Sequence, residues 1–338
     1  MAAQAQGLTL PRPDLFCDVP GHLLGIRDAL HEVIERSTDL WFQDVLDYML
    51  TQQGKMLRGL LATYSALGDR DTLPPDSYRV AALSELLHIA SLLHDDVLDE
   101  ADSRRGSASV NFKWSDKVAI LVGDYILTRI FSCLSEIRRW NVLNEFILAA
   151  RALSEGSLIE FKNRYNLNLS QEAYFRMITR KTSALFSCAL VSARLLSDGS
   201  PEPVSILREY GHHLGVAFQV TDDLLDYSGD LAVIGKSPLK DLRQGYVTLP
   251  FIRAFSDDRL RKELHNLRGP DTLSWDQFVG QSENWITSRV CSPENLISVT
   301  EVAAHHRDRA LQVLSRLPEG SLRERLAVVA DWVVSRER

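Results

Sequence analysis

The sequence predicts an all-α fold, a single bundle of antiparallel helices around a deep central cavity. Three observations lead there. Apolar residues recur at spacings of three and four along most of the 338 residues, strand-like alternation is scarce, and no low-complexity linker or short-period repeat divides the chain. Length alone would suggest about two domains, but one helical domain over 1–338 accounts for so unbroken a pattern more economically. Hydrophobic residues at 45% and charged residues at 25% supply a core and leave no compositional case for disorder.

The elements follow in order. An irregular arm at about 1–18, with Pro11 and Pro13, precedes a helix beginning near His22. A second periodic stretch covers about 39–68 and ends at the breaker-rich GDRDTLPPDS. Over 78–99, Leu83, Leu86, Leu87, Ala90 and Leu93 fall on one side of a long helix packed against others. Further helical patterns cover about 116–138, 141–163, 171–196 and 203–231, with two or three more after Leu249. Two polar, glycine-bearing breaks stand out: ADSRRGSASVN from Ala101 and SGDLAVIGKSPLKDLRQGYVTLP from Ser228. Each lies just beyond an acidic group, which suggests loops at one rim of the cavity.

Charge and cysteine usage narrow the function classes. Lys and Arg number 38 against 45 Asp and Glu, a formal net charge of -7, which argues against broad nucleic-acid binding. Phosphate chemistry must therefore use local cations, or metals held by carboxylates. Cys17, Cys133, Cys188 and Cys291 are widely spaced and make no paired ligand motif, as expected of reduced thiols. The opening MAAQAQGLTLPRPDLF lacks a basic start followed by an apolar core, and no apolar run approaches the roughly 20 residues that span a bilayer. A cytoplasmic protein without a transmembrane segment is the expectation.

Two carboxylate triplets carry the chemistry. In His94-Asp95-Asp96-Val97-Leu98-Asp99, Asp99 lies four residues from Asp95 and three from Asp96, so on a helix the oxygens face one volume. Asp222-Asp223-Leu224-Leu225-Asp226 repeats the spacing after the apolar Gly215-Val216-Ala217-Phe218. Like charges so close repel unless cations enter, and two triplets opposed across a cavity suit hard, oxygen-preferring Mg2+. One triplet alone would read equally well as a solvated helix face. Lys55, Arg58, Arg104, Arg105, Lys181, Lys236 and Lys240 are the candidate cations, and each by itself would read as a surface charge. His88, about two turns before Asp95, is a candidate phosphate donor that alone would read as a packed histidine. The pairs His212-His213 and His305-His306 project differently from a helix and read as packed or surface imidazoles, the six tryptophans are dispersed as for packing, and the terminal SRER reads first as a solvated basic end, with a diphosphate contact as the lesser reading.

These residues resemble the trans-isoprenyl diphosphate synthase (polyprenyl synthetase) family, from GKMLRG at 54–59 through HDDVLDEADSRRG and FQVTDDLLDYSGD to DLRQGYVTLP at 241–250. The resemblance implies the isoprenoid synthase fold and about three Mg2+ ions per active site, held by Asp95, Asp96, Asp99, Asp222, Asp223 and Asp226, with Asp96 mattering less as a direct ligand. It implies that Lys55, Arg58, His88 and Arg105 bind isopentenyl diphosphate, and that Arg104, Lys181 and Lys236 contact an allylic prenyl diphosphate. Thr182 and Gln219 match residues near the ionising carbon, where oxygen dipoles stabilise developing positive charge. The implied reaction ionises the allylic diphosphate, lets the alkene of isopentenyl diphosphate attack the cation, and then loses a proton, with pyrophosphate as the base. The family's usual assembly is a homodimer, although the GYVTLP loop also resembles catalytic subunits that need a small regulatory partner.

Family members making short products place bulky aromatic residues four or five positions before the first motif, where this chain has the small Ser91 and Ala90. One further helical turn back spans about 5 Å and is lined by Ile89 and Leu86, which favours a medium or long product, about C30 to C50, over a farnesyl or geranylgeranyl diphosphate. Tyr125, Ile126, Thr128, Arg129 and Phe131 are expected on the opposite wall. Release of so long a product would bring the enzyme to a membrane peripherally. The chain departs from the pattern at Met56, often Arg; at Tyr246, where many members have Lys; and at Ser157 and Glu160, where a Glu and a Gln are common. A terpene cyclase would carry a different second metal motif, a head-to-head synthase would not need the Lys55/Arg58 and Arg104/Arg105 sets, and a non-catalytic regulatory subunit would have lost one of these groups.

Overall fold

A computed structural model describes residues 14, 16–52, 54–197, 200–228, 239–269 and 273–336. Apart from one small hairpin, the described residues form helices and the turns between them. Helix α1 (Val19–Ile34) starts three residues before the expected His22, with Pro20 in its first turn, where a missing N–H costs nothing. Helices α2 (Leu40–Thr51) and α3 (Leu57–Leu67) replace the single helix expected over 39–68. Two features make the break. Met56 takes a left-handed backbone conformation (φ 49°), and the guanidinium of Arg105 caps the end of α2 by donating to the Gln52 carbonyl at 2.7 Å. Side-chain caps begin α2 and α6 (Asp116–Ile137): Asp39 accepts from the Phe42 amide and Ser115 from that of Val118.

Helix α4 (Ser77–Leu98) runs through the middle, packed against α1, α3 and α6. After it comes a feature that sequence periodicity does not reveal, an antiparallel hairpin of Ser103–Arg104 (β1) with Ser107–Ala108 (β2). Its two-residue loop, Arg105-Gly106, has positive φ at both positions, the turn that matches strand twist. Strands two residues long leave no alternation to read. A short α5 (Val110–Lys113) leads to α6 and α7 (Trp140–Lys162). By length and mean hydropathy (1.6), α6 could cross a membrane, contrary to the sequence expectation, yet its Val122, Ile126 and Ile130 are buried in the core.

The pattern expected as one helix over 171–196 resolves into α8 (Gln171–Ile178), a single π-helical turn (Thr179–Ser183) and α9 (Ala184–Ser197). A side chain at Gly156 of α7 would lie 2.6 Å from the Lys181 amide nitrogen, so only glycine lets the wide turn settle on α7. Helix α10 (Pro201–Ser228) is the longest and divides two apolar cores by its faces. Leu214 and Ala217 join the larger core of α1–α4, α6, α7 and α9, while Val216 and Val220 join a smaller one with α8 and the C-terminal helices. Those are α11 (Lys240–Arg243), α12 (Leu249–Ala254), α13 (Asp258–Arg268), α14 (Trp275–Val290) and the first half of α15 (Pro293–Leu314), whereas Ala310, Val313 and Leu314 of α15 and the buried residues of α16 (Ser321–Ser335) belong to the larger core. The four paired histidines meet where α10 crosses α15, with the Nδ1 atoms of His213 and His306 3.0 Å apart.

Candidate active site

Between the two cores lies a cavity of about 870 Å³, into which the acidic ends of α4 and α10 both open. Helical periodicity puts Glu85, His88, Ile89, Leu92, Asp95, Asp96 and Asp99 on the cavity face of α4. Ser91 also lines it, with its hydroxyl donated back to the His88 carbonyl at 2.8 Å. Ala90 does not line the cavity: it points into the core, 1% exposed. Nor is the cavity bordered by Tyr125, Ile126, Thr128, Arg129 or Phe131, the expected opposite wall. Tyr125 and Arg129 instead tie α6 to the end of α1 through the Ile34 and Val33 carbonyls.

Each carboxylate of the first triplet has a partner. Lys181, on the π turn, reaches Asp95 at 3.2 Å and makes a second ion pair with Glu160, and Ser157 donates to Asp95 at 3.3 Å. Burial alone would lower the Lys181 pKa, but the Glu160 and Asp95 charges raise it above its ordinary value, so it stays cationic. Glu160 is raised by burial and Lys181 opposes the shift. Arg104 Nε bridges both oxygens of Asp96, at 2.9 and 2.8 Å. The Tyr246 hydroxyl donates to Asp99, so the residue that departs from the family's lysine holds the first motif instead. Arg164 braces that contact, donating to the Leu98 and Gln244 carbonyls from either side of the rim.

The second triplet is held differently. Asp223 accepts from Tyr174 at 2.6 Å and from Gln219 at 2.8 Å, and burial pushes its carboxyl up to about 7. Thr182 donates to Gln219 at 2.6 Å, so the two residues expected beside the ionising carbon touch each other and Asp223. Asp222 pairs with Arg336 at 2.7 Å. The expected solvated end is thus corrected at Arg336, which also donates to the Phe218 carbonyl and lies 3.8 Å over that ring. Asp226 faces Asp241, whose carboxyl is pushed well up by burial and by that neighbour.

The remaining cations divide in the same way. Arg58 is buried with its guanidinium 4.6 Å over Phe186, its Nε without a partner, and burial lowers its pKa. Lys55 lies 5.5 Å over Trp332, another cavity residue. His88 is held well below its ordinary pKa by burial and by Arg58, Arg105 and Arg104, hence neutral and able to donate through one N–H. Lys240 is exposed, and Lys236 lies outside the described residues. Sequence reasoning missed Tyr174, Glu85, Trp332 and Arg336 as cavity residues. Only the SRER basic end carried a signal. Glu85 accepts from the Gly59 amide at 2.8 Å, fixing the start of α3 and with it Arg58.

The donor set suits Mg2+: hard carboxylate oxygens from two helices face one volume. Among the described residues no three His, Cys, Asp or Glu side chains converge tightly enough to hold an ion unaided, and Lys181, Arg104 and Arg336 pair with Asp95, Asp96 and Asp222.

Comparison with known proteins agrees. The chain is 31% identical over 324 residues to octaprenyl diphosphate synthase from Escherichia coli strain K12, spanning 94% of this chain and 96% of that protein. A decaprenyl diphosphate synthase from Rhodobacter capsulatus superposes with a TM-score of 0.85 at 30% identity, over 97% of this chain and 100% of that one. A polyprenyl synthase from Caulobacter crescentus CB15, solved with calcium and isoprenyl diphosphate, gives 0.83 at 29% identity, over 95% and 97%. The polyprenyl synthetase family model matches residues 39–277, which include both triplets, and the chain belongs to that family.

Proposed function

We propose that this chain is a Mg2+-dependent trans-polyprenyl diphosphate synthase, which condenses isopentenyl diphosphate repeatedly onto an allylic diphosphate to give a medium- or long-chain product. The observation that carries the reading is one cavity lined by Asp95, Asp96 and Asp99 of the first motif and Asp222 and Asp223 of the second, with two sets of cations beside them and an apolar interior. The long-chain relatives favour the product class.

Asp95, Asp96, Asp99, Asp222, Asp223 and Asp226 would hold the magnesium, which when bound supplies Lewis-acid stabilisation of the departing diphosphate. Lys181 and Arg104 are within reach of the same leaving group once they exchange Asp95 and Asp96 for phosphate oxygens. Arg58, Lys55, Arg105 and neutral His88 form the second anion site, for isopentenyl diphosphate. Thr182 and Gln219, oriented through Asp223 and Tyr174, present oxygen dipoles to the carbon that becomes cationic. Phe218, Met177 and Ile178 keep water from that carbon, and the proton lost after bond formation goes to pyrophosphate.

The same reading makes the enzyme a cytoplasmic homodimer that meets a membrane only when product leaves. Exposed apolar side chains on α6 and α7, among them Leu121, Phe131, Leu148, Leu158 and Phe161, support the self-association. The test is mass analysis of products from purified protein with isopentenyl diphosphate, Mg2+ and geranyl, farnesyl or geranylgeranyl diphosphate. Products rising in five-carbon steps are expected. No product from any primer would overturn the assignment.

A further inference from the structure

The two ends of the cavity differ in chemistry. Carboxylates, Lys181 and the loop arginines surround the mouth, whereas the inner wall is apolar, with Leu57 from α3 and Ile89 and Leu92 from α4. Two helices that carry no part of either triplet reach this wall: α1 with Leu30 and α2 with Met49. Both line the cavity, yet Leu30 is 0% and Met49 3% exposed. Water reaches almost none of either side chain, as at the closed end of a tunnel.

A second layer stands behind them. One turn beyond Leu30, the Ile34 carbonyl accepts from the Tyr125 hydroxyl at 2.9 Å. The Tyr125 ring meets Phe42 edge-on, with centroids 5.0 Å apart, and Phe42 is two turns from Met49 on α2. Helix α2 is also fastened to the loop that carries Arg104 and Arg105. Tyr48 and Gln52 both donate to the Ala108 carbonyl, at 2.8 and 2.6 Å, and Arg105 donates to that of Gln52 at 2.7 Å. One rigid helix thus links the charged mouth to the closed end and fixes the distance between them.

The geometry points to Leu30 and Met49 as the side chains that end chain growth, with the Phe42–Tyr125 pair as the next barrier. This inference rests on the proposed elongation reaction. Condensation adds each new unit at the diphosphate end, so every cycle pushes the tail deeper. Growth stops when the tail meets side chains that cannot move without overpacking the core. Ser91 lines the route, and Ala90, turned into the core, takes no part in stopping it.

The test compares the longest products of wild type, Met49→Ala, Leu30→Ala and Met49→Phe, with thermal melts to confirm folding. Truncation at either site lets the tail advance about 5 Å, one helical turn, and should lengthen the limit product by about one five-carbon unit. Met49→Phe keeps the core filled and should shorten it, so the idea stays testable if the truncations fail to fold. A wild-type ladder whose limit is unchanged in Met49→Ala and Met49→Phe would overturn this assignment and leave the reaction standing. Failure of the wild type to make any ladder would overturn the reaction and this inference together.

Discussion

On α4 the aspartates face cations brought by other segments: Lys181 from the π turn and Arg104 from the hairpin. On α10 the same three-residue pattern meets neutral donors, Tyr174 and Gln219, and one arginine from the last helix. The two arginine-paired carboxylates differ in exposure. The Asp96 side chain is 4% exposed against its bidentate arginine, whereas Asp222 is 42% exposed against Arg336. Two motifs with one spacing thus occupy different electrostatic settings, because spacing fixes only where the oxygens point. The rest of the fold decides what answers them.

The largest expected effect tests what the triplets share. Asp95→Ala and Asp222→Ala should each lower turnover about a thousandfold at limiting Mg2+, since several kcal/mol of leaving-group stabilisation goes with each. Near wild-type rates in either would break the equivalence. The next contrast exploits the difference. Arg104→Ala leaves the buried Asp96 charge uncompensated and removes the diphosphate contact proposed for Arg104, which should cost about 10²-fold in kcat/KM for the allylic substrate. Arg336→Ala uncovers a carboxylate that water already reaches and should cost only a few-fold. Equal losses would show that exposure is not what separates the two pairs.

Tyr174→Phe removes a donor from the buried Asp223 and should lower stability by about 1–3 kcal/mol, read as a fall in the urea midpoint. The smallest effect lies on the same helix, away from both triplets. Burial holds His213 and His306 at about 4, helped by His212, His305 and Arg309 and opposed at His213 by Glu209. Unfolded histidines titrate near 6.5, so between about pH 6.5 and 4 the unfolded chain binds more protons and stability falls with acid. His213→Gln with His306→Gln should flatten the melting temperature across that window. An unchanged slope would place the acid sensitivity elsewhere.

The acidic groups were legible in the sequence because their geometry is local: residues three and four apart on a helix share a face wherever the helix goes. So were most helices, from periodicity and breakers. What stayed hidden depends on distant partners. Tyr174 reaches Asp223 from 49 positions away and Arg336 reaches Asp222 from 114. The gap between α2 and α3 is held by Arg105, and the small residue Ala90 proved to face the core, since periodicity does not say which neighbour a face will meet. Lys236 lies outside the described residues.

The wide turn at Thr179–Ser183 amounts to one residue inserted into what would otherwise be a continuous helix from Gln171 to Ser197. Deleting a single residue there would restore regular winding and, by itself, favour the folded chain. It would also rotate everything on one side of the cut by about 100°, carrying Lys181 and Thr182 off the register that meets Asp95 and Gln219. The same rotation would turn buried Tyr174 and Met177, or Leu185 and Phe186, out of the cores they fill, so the deletion should cost tertiary packing together with the pairing of Lys181 and Asp95.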